Sequence, residues 1–554
     1  MKRALAMALG AMMITGAAST AAAASHVDFT GYYRVNYMMD VNRGFNGGDK
    51  TFTDHYFDDR LLIEMTFKPT DEIAVHWQLR GPNRSRWGGG SKSLETQHVY
   101  GEVKQDWGSV YVGRFDDGMD VYGLGSLGYQ PGFGPYVNTG PFDRGDVIDA
   151  VRYANNWDNG FGLMAQYAKL ATDWLGNTGM DRRDSDADWD RVQFEGTYFW
   201  DGGGASMGVM IDRAAGEDPY GGSLSTYKNR GYDKAKAVFV NPALMHSWGE
   251  LSVHFEGMAG WRDSRYSYST AYPNLTGTRK NGVHHDSDGY GAYLDLDYNY
   301  GPGNVNLAAW WVSGSDLGDK DSGSLVDIVG GNFYPLLVAY GGTGNGKFRN
   351  GGSTGSSNGL NAIGIANNAY ENFIKSAIEP GKSLTLLNGS GSLQAHGLEA
   401  DNQSAGANRG RFTSFNENTD ANHWAVSLSG NHSITDEITV HYAVAYLALN
   451  NPNYRVANRV DYSSSNTGTV HYADQEKDLG FEADLGVQLK LLDNLSFTSS
   501  FGFMATGDAY RELRGYQKTV GSADAGPSAG DVVKAKWRDA DNVYVWYNTL
   551  QFDF

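Results

Sequence analysis

Asp184-x-Asp186-x-Asp188, with Glu195 seven residues on, has the carboxylate spacing of an EF-hand calcium loop. Oxygen ligands so spaced take up hard divalent cations, so a structural calcium is the chemistry this run offers. Trp189 stands where such a loop needs glycine for its sharp turn, and no helical periodicity flanks it. A solvated acidic loop that bridges divalent ions to neighbouring anionic groups is the competing reading. His284-His285-Asp286-Ser287-Asp288 gathers metal-ligating types, but adjacent histidines on a strand point to opposite faces. Gly341-x-x-x-x-Gly346-Lys347 approaches a phosphate-binding loop, with Phe348 where the Mg²⁺-ligating Ser or Thr belongs. Gly351–Gly355 and Gly204–Gly208 fit G-x-S-x-G, but neither has the strand–turn–helix context of a nucleophile. With no cysteine there is no thiol catalysis, disulfide scaffold or Cys-ligated metal. No catalytic constellation emerges, and a non-enzymatic protein without a resident cofactor is expected.

A second group of charges suggests a different chemistry. Arg34, Arg60 and Arg80 fall on the polar parity of three successive strand-like segments. Arg114 ends a later segment whose parity is ambiguous. Asp116, Asp117, Asp120, Asp143 and Asp146 lie beyond it in a long connection. Arginines facing carboxylates across a water-filled constriction would set up a transverse field that favours charged or dipolar solutes. Separate solvation of each charge in a wide lumen is the alternative. Tyr32, Tyr293 and Trp310 also take the polar parity. They suit either a stacked track for sugar rings or isolated space-filling.

Composition and period indicate the elements that must position these groups. The chain has 554 residues, a formal charge of −19 and mean hydropathy −0.46, yet 13% aromatics. The acidic balance argues against a nucleic-acid partner. The aromatics argue against an acidic disordered chain. Lys2 and Arg3, the apolar run 4–15 and Ala22-Ala23-Ala24 read as a cleaved signal peptide over residues 1–24. No later window approaches the ~18 apolar residues of a membrane helix. The remainder alternates with period two. Val27, Phe29, Tyr33 and Val35 oppose Asp28, Thr30, Arg34 and Asn36, and Leu61, Ile63, Met65 and Phe67 oppose Arg60, Glu64, Thr66 and Lys68. Such segments are strands with one apolar and one polar face.

The expected strands lie near 27–39, 59–68, 72–80, 95–105, 107–114, 146–154, 160–169, 191–199, 205–213, 232–243, 250–261, 287–298, 304–314, 422–432, 438–448, 478–491, 494–504 and 541–554. Short turns alternate with long loops along this series. That predicts an all-β, transmembrane, antiparallel up-and-down β-barrel of 18 strands (16 as the alternative). Residues 25–554 then form one barrel domain with short periplasmic turns and long extracellular loops. Trp107, Trp157, Trp200, Trp248 and Tyr300 sit in or beside five short turns, as an aromatic girdle would. Pro69–His76 echoes Ile434–His441, as repeated hairpins would. Residues 315–421 form a Gly-, Ser- and Asn-rich extracellular loop with one possible helix near 366–378.

Trp107-Gly108-Ser109-Val110-Tyr111-Val112-Gly113-Arg114 resembles the strand ending in Gly-Arg of Gram-negative trimeric porins. Tyr122–Gly125, Pro131–Gly134 and Val151–Tyr153 are similar to the third-loop region of that family, and Gly160–Tyr167 to the strand after it. Leu550-Gln551-Phe552-Asp553-Phe554 resembles the assembly signal of outer-membrane barrels. The chain also resembles the large homotrimeric porins of sulfate-reducing bacteria. General porins of the family have sixteen strands, and sugar-specific channels eighteen. The resemblance implies a third loop, residues 115–145, folded into the pore. It further implies a homotrimer in the bacterial outer membrane, in contact with lipid and lipopolysaccharide. The function implied is passive diffusion of small hydrophilic solutes and ions. A substrate-specific channel for sugars or organic anions is the alternative, and an outer-membrane hydrolase or a secreted polysaccharide binder are more distant rivals.

Overall fold

The computed structural model describes residues 26–41, 53–86, 94–116, 147–172, 188–215, 230–268, 283–313, 422–451, 455–464, 467–474, 476–510, 512–518, 530, 532–539 and 541–554. The signal segment, most of the third loop and the 315–421 segment with its expected helix lie outside these residues.

The strands are β1 (His26–Val41), β2 (Thr53–Thr70), β3 (Ile73–Arg86), β4 (Glu95–Gln105), β5 (Gly108–Asp116), β6 (Val147–Asn156), β7 (Phe161–Thr172) and β8 (Asp188–Trp200). Next come β9 (Gly203–Ala215), β10 (Arg230–Trp248), β11 (Leu251–Tyr268), β12 (Val283–Asn299), β13 (Gly303–Val312), β14 (His423–Ser433) and β15 (Ile438–Leu449). The series ends with β16 (Arg455–Ser464), β17 (Thr467–Asp474), β18 (Asp478–Leu492), β19 (Leu495–Thr506), β20 (Glu512–Lys518), β21 (Val532–Arg538) and β22 (Val543–Asp553). Eighteen of them form one antiparallel sheet, in which β15 pairs with β18, β19 with β22, and β22 with β1. Since β1 also pairs with β2, the ring closes and no edge strand remains. All eighteen expected strands are present, each in its expected place.

β13 shows why these sequences make a barrel. Asn304, Asn306, Ala308 and Trp310 face inward, and Val305, Leu307, Ala309 and Trp311 face outward. The same inversion recurs around the ring. Phe29, Phe194, Leu244, Phe255, Leu294, Leu307, Leu428, Leu485 and Leu550 are exposed on the outside, while Arg152, Gln193, Glu256 and Glu482 are fully buried on the inside. So much outward apolar surface is stable only against lipid. Ring closure satisfies the backbone, the other requirement for crossing a bilayer.

The short turns obey local chemistry. Trp157 accepts the Gly160 N–H at 3.0 Å, and Gly160 holds φ +86°, a conformation that suits glycine. In the echoed turns Thr70 Oγ1 accepts the Glu72 N–H (3.3 Å) and Thr435 Oγ1 that of Glu437 (3.1 Å). The sequence echo is therefore the same hydroxyl-capped turn used twice. Trp107, Trp157, Trp200 and Trp248 are exposed at this rim. Trp107 stacks on Tyr153, Trp200 on His246, and Tyr300 on His432. A second aromatic tier nearer the long loops contains Tyr37, Phe57 and Trp546, then Trp261 with Tyr290, then Trp424 with Tyr446.

One feature lies outside the expected series. β17, β16, β21 and β20 form a separate four-stranded sheet from two long loops. It joins the β15–β18 connection to the β19–β22 connection through Arg459–Lys534, Val460–Val533 and Asp461–Val532. At the same rim the chain leaves the ring at Ser313 and re-enters at Asn422, whose N–H donates to the Ser313 carbonyl at 2.8 Å.

Candidate functional site

The lumen wall is built by the inward parity of each strand. On β1 and β2, Arg34 and Arg60 stand directly opposite each other in register, both buried. Tyr32 lies against both guanidinium groups, 4.7 Å from Arg34 and 5.8 Å from Arg60. Arg34 Nε donates to Gln551 Oε1 on β22 (2.9 Å), and Arg80 Nη1 on β3 donates to Gln97 Oε1 (3.3 Å). These amide partners hold the two guanidinium groups against the wall. Arg34 and Arg60 are register partners, and Arg80 pairs with Leu62, two residues along β2 from Arg60.

Arg114 is a correction. It pairs in register with Val99 and Asp149 on the same face as exposed Val151, and its side chain is 47% exposed. Its guanidinium lies 3.7 Å from the Asp149 carboxylate. Inward parity on β5 belongs to Tyr111, opposite Glu102, so Arg114 looks outward and does not line the lumen. Asp116 ends β5, with its backbone paired to Val147. Asp117, Asp120, Asp143 and Asp146 lie outside the described residues.

The calcium loop is a second correction. Residues 188–200 run as one strand, so Asp188 and Glu195 are about 23 Å apart along it, at positions of opposite parity. Glu195 is buried inside the barrel. It cannot share an ion with Asp188, and Asp184 and Asp186 lie outside the described residues. Among the described residues no three His, Asp or Glu side chains gather around a possible metal position.

Carboxylates that sequence reasoning did not single out occupy the far wall. β11 and β12 stand nine strands from β2 and β3 in the eighteen-strand ring, half-way round. They present Glu256, Asp295 and Asp297. Glu256 accepts from Asn241 Nδ2 (2.9 Å), and Asp297 from Asn304 Nδ2 (2.9 Å). Asp295 accepts from the Tyr293 hydroxyl (2.8 Å) and from Asn306 Nδ2. β18, only four strands from β2 around the ring, carries Glu482 and Asp484, both buried, beside the arginine strands rather than opposite them. Arg34, Arg60 and Arg80 on β1–β3 thus stand across the ring from Glu256, Asp295 and Asp297 on β11 and β12.

Between the walls, charge is neutralised or relayed through amides. On β8 and β9, Arg191 Nε and Nη2 grip both Asp212 oxygens at 2.7 and 2.8 Å. On β6, Arg152 Nε donates to Gln166 Oε1 at 2.6 Å, Gln166 reaches Gln193 at 3.4 Å, and the Arg152 guanidinium lies over Phe115. Near the short-turn rim His76 stacks on Tyr100 (4.5 Å) and bonds Glu102 (3.0 Å) and Thr66 (3.2 Å). Of the inward aromatics, Tyr293 and Trp310 are register neighbours on β12 and β13, and Trp310 bonds His423 at 3.2 Å. Tyr32 lies across the ring from them, so the three form no continuous track.

No family model matches this chain, and no curated protein matches it. Solved structures do match at low similarity. The anion-selective porin from Comamonas acidovorans is 10% identical, with 96% of this chain and 100% of that chain covered and a TM-score of 0.38. OpdQ from Pseudomonas aeruginosa is 8% identical over 95% and 97%, TM-score 0.43. OmpT of Vibrio cholerae, in its trimer form, is 11% identical over 96% and 100%, TM-score 0.35. At these values the matches carry no argument about this chain, and the resemblance to porins of sulfate-reducing bacteria gains nothing from them.

Proposed function

We propose that the chain is a porin: a water-filled channel in the bacterial outer membrane that passes small hydrophilic solutes and ions passively. The observation that carries this reading is a closed eighteen-strand ring, apolar outside and charged inside. With strands ~4.8 Å apart and tilted ~40°, such a ring is roughly 35 Å across, too wide for wall side chains to fill. Arg34, Arg60 and Arg80 facing Glu256, Asp295 and Asp297 give the lumen a transverse field. A polar solute aligns in such a field, and an apolar one of equal size gains nothing. Selectivity then comes from wall charge together with the 115–145 loop. The sequence resemblance supports a homotrimer, and the outward apolar face supports lipid as its surroundings.

A second reading, a channel specific for organic anions, is favoured by one feature. Tyr32 between Arg34 and Arg60 offers a flat ring flanked by two cations, suited to a carboxylate on a planar skeleton. Swelling of proteoliposomes in neutral sugars of graded size separates the two. Rates that fall smoothly with solute size and do not saturate support passive diffusion. Saturable uptake of one organic anion, blocked by its analogues, replaces it with the specific channel.

A further inference from the structure

The outer face of the ring carries a charge feature that the channel does not use. Lys169, Asp190, Arg213 and Lys236 stand directly opposite one another across β7, β8, β9 and β10. The Asp190 carboxylate is taken up by Lys169 Nζ (2.8 Å) and the Tyr167 hydroxyl (2.8 Å). Arg213 and Lys236 are left side by side and exposed, with neither in an ion pair among the described residues. Asp263 holds the next register position, on β11. Like charges directly opposite on a sheet repel, and an anion bridging them removes the cost.

The height of the pair says which anion. Two residues closer to the short turns, the same strands carry Val192, Ile211 and Val238, with exposed Trp261 beside them on β11. The surface changes from apolar to charged between these two rows. Arg213 is ten residues along β9 from Gly203. That is ~33 Å of strand, or roughly 25 Å above the turn at barrel tilt, the full height of the apolar band. Trp261 packed edge-on to Tyr290 marks the same level, where amphipathic rings meet head groups.

We propose that Arg213 and Lys236 bind the phosphate of an outer-leaflet lipid whose acyl chains lie over Val192, Phe194, Val209, Ile211, Val238 and Val240. The planar guanidinium matches two phosphate oxygens, and the ammonium supplies the second charge. This assignment rests on the membrane-spanning reading above.

The test uses native mass spectrometry of the full chain in detergent. The probes are bisphosphorylated lipid A, the same lipid dephosphorylated, and inorganic phosphate as competitor. Wild type is expected to retain the phosphorylated lipid, and the R213S/K236S variant to bind it roughly tenfold or more weakly. Equal retention by wild type and variant overturns the proposal, as does equal retention of the dephosphorylated lipid by wild type. Displacement by an equal concentration of inorganic phosphate assigns the site to free phosphate and overturns the lipid. Both residues face away from the lumen, so the variant's channel steps in planar bilayers are expected to match wild type. Failure of wild type itself to insert into bilayers would count against the spanning reading instead.

Discussion

Gly31 and Phe554 exchange two backbone hydrogen bonds, Gly31 N–H to Phe554 O at 2.9 Å and Phe554 N–H to Gly31 O at 3.0 Å. They extend the β1–β22 seam that closes the ring, and the Phe554 ring stacks on Phe29 at 5.7 Å. A Cβ at position 31 would collide with the Leu62 carbonyl oxygen and press on the Phe554 ring. Gly31→Leu is therefore expected to impair closure. The folded, heat-modifiable band on semi-native electrophoresis should fall well below wild type. An unchanged folded fraction would show that the seam tolerates a side chain there.

The Arg191–Asp212 pair is almost wholly buried in the wall and bonded through both carboxylate oxygens. Asp212→Ala leaves a buried guanidinium without its counter-charge, which costs about 3–5 kcal/mol, whereas replacing both partners with apolar residues costs much less. Thermal unfolding in detergent should show a large drop for D212A and a smaller one for R191M/D212L. Equal drops would mean that the pair acts through packing alone.

Outside the membrane, Asp461 on β16 is held below the usual carboxylate range. The Arg459 guanidinium (2.6 Å) is the main cause, and His471 (3.0 Å) adds to it. A depressed folded-state pKa gives stability that is present above the ordinary value of 3.8 and lost as pH falls through the lower folded value. Protection factors of the β16–β17 amides, with the intrinsic pH dependence of exchange divided out, are expected to be higher at pH 5 than below about pH 3.8. Asp461→Asn should show the lower protection already at pH 5. Protection factors independent of pH in wild type would remove Asp461 from the loop sheet's support.

The ring was legible because a lipid-facing barrel imposes strict alternation, and alternation survives in residues such as Val305, Leu307, Ala309 and Trp311 without knowledge of partners. Strand β5 shows the limit. Val110, Tyr111 and Val112 are all apolar, so parity is lost locally, and only the pairing of Tyr111 with Glu102 places Arg114 outside. The carboxylate wall was missed for a different reason. Glu256 and Asp295 sat on strands correctly foreseen, but that they face Arg60 and Arg80 emerges only from counting strands around a closed ring. The loop sheet was missed because Arg455–Ser464 and Thr467–Asp474 carry no continuous apolar stripe. The acidic run at 184–188 matched a ligand spacing, yet Trp189 already belonged to a strand, which pulls Glu195 away from it.

Whether the lumen is open and charge-lined is tested most directly by single-channel recording in planar bilayers under a KCl gradient. Wild type is expected to give discrete conductance steps. The R34Q/R60Q/R80Q variant should keep the steps but shift its reversal potential toward cation permeation, because one wall of the field is gone. Absence of steps from protein shown to be folded, or a reversal potential that does not move when all three arginines are neutralised, would contradict a charge-lined channel.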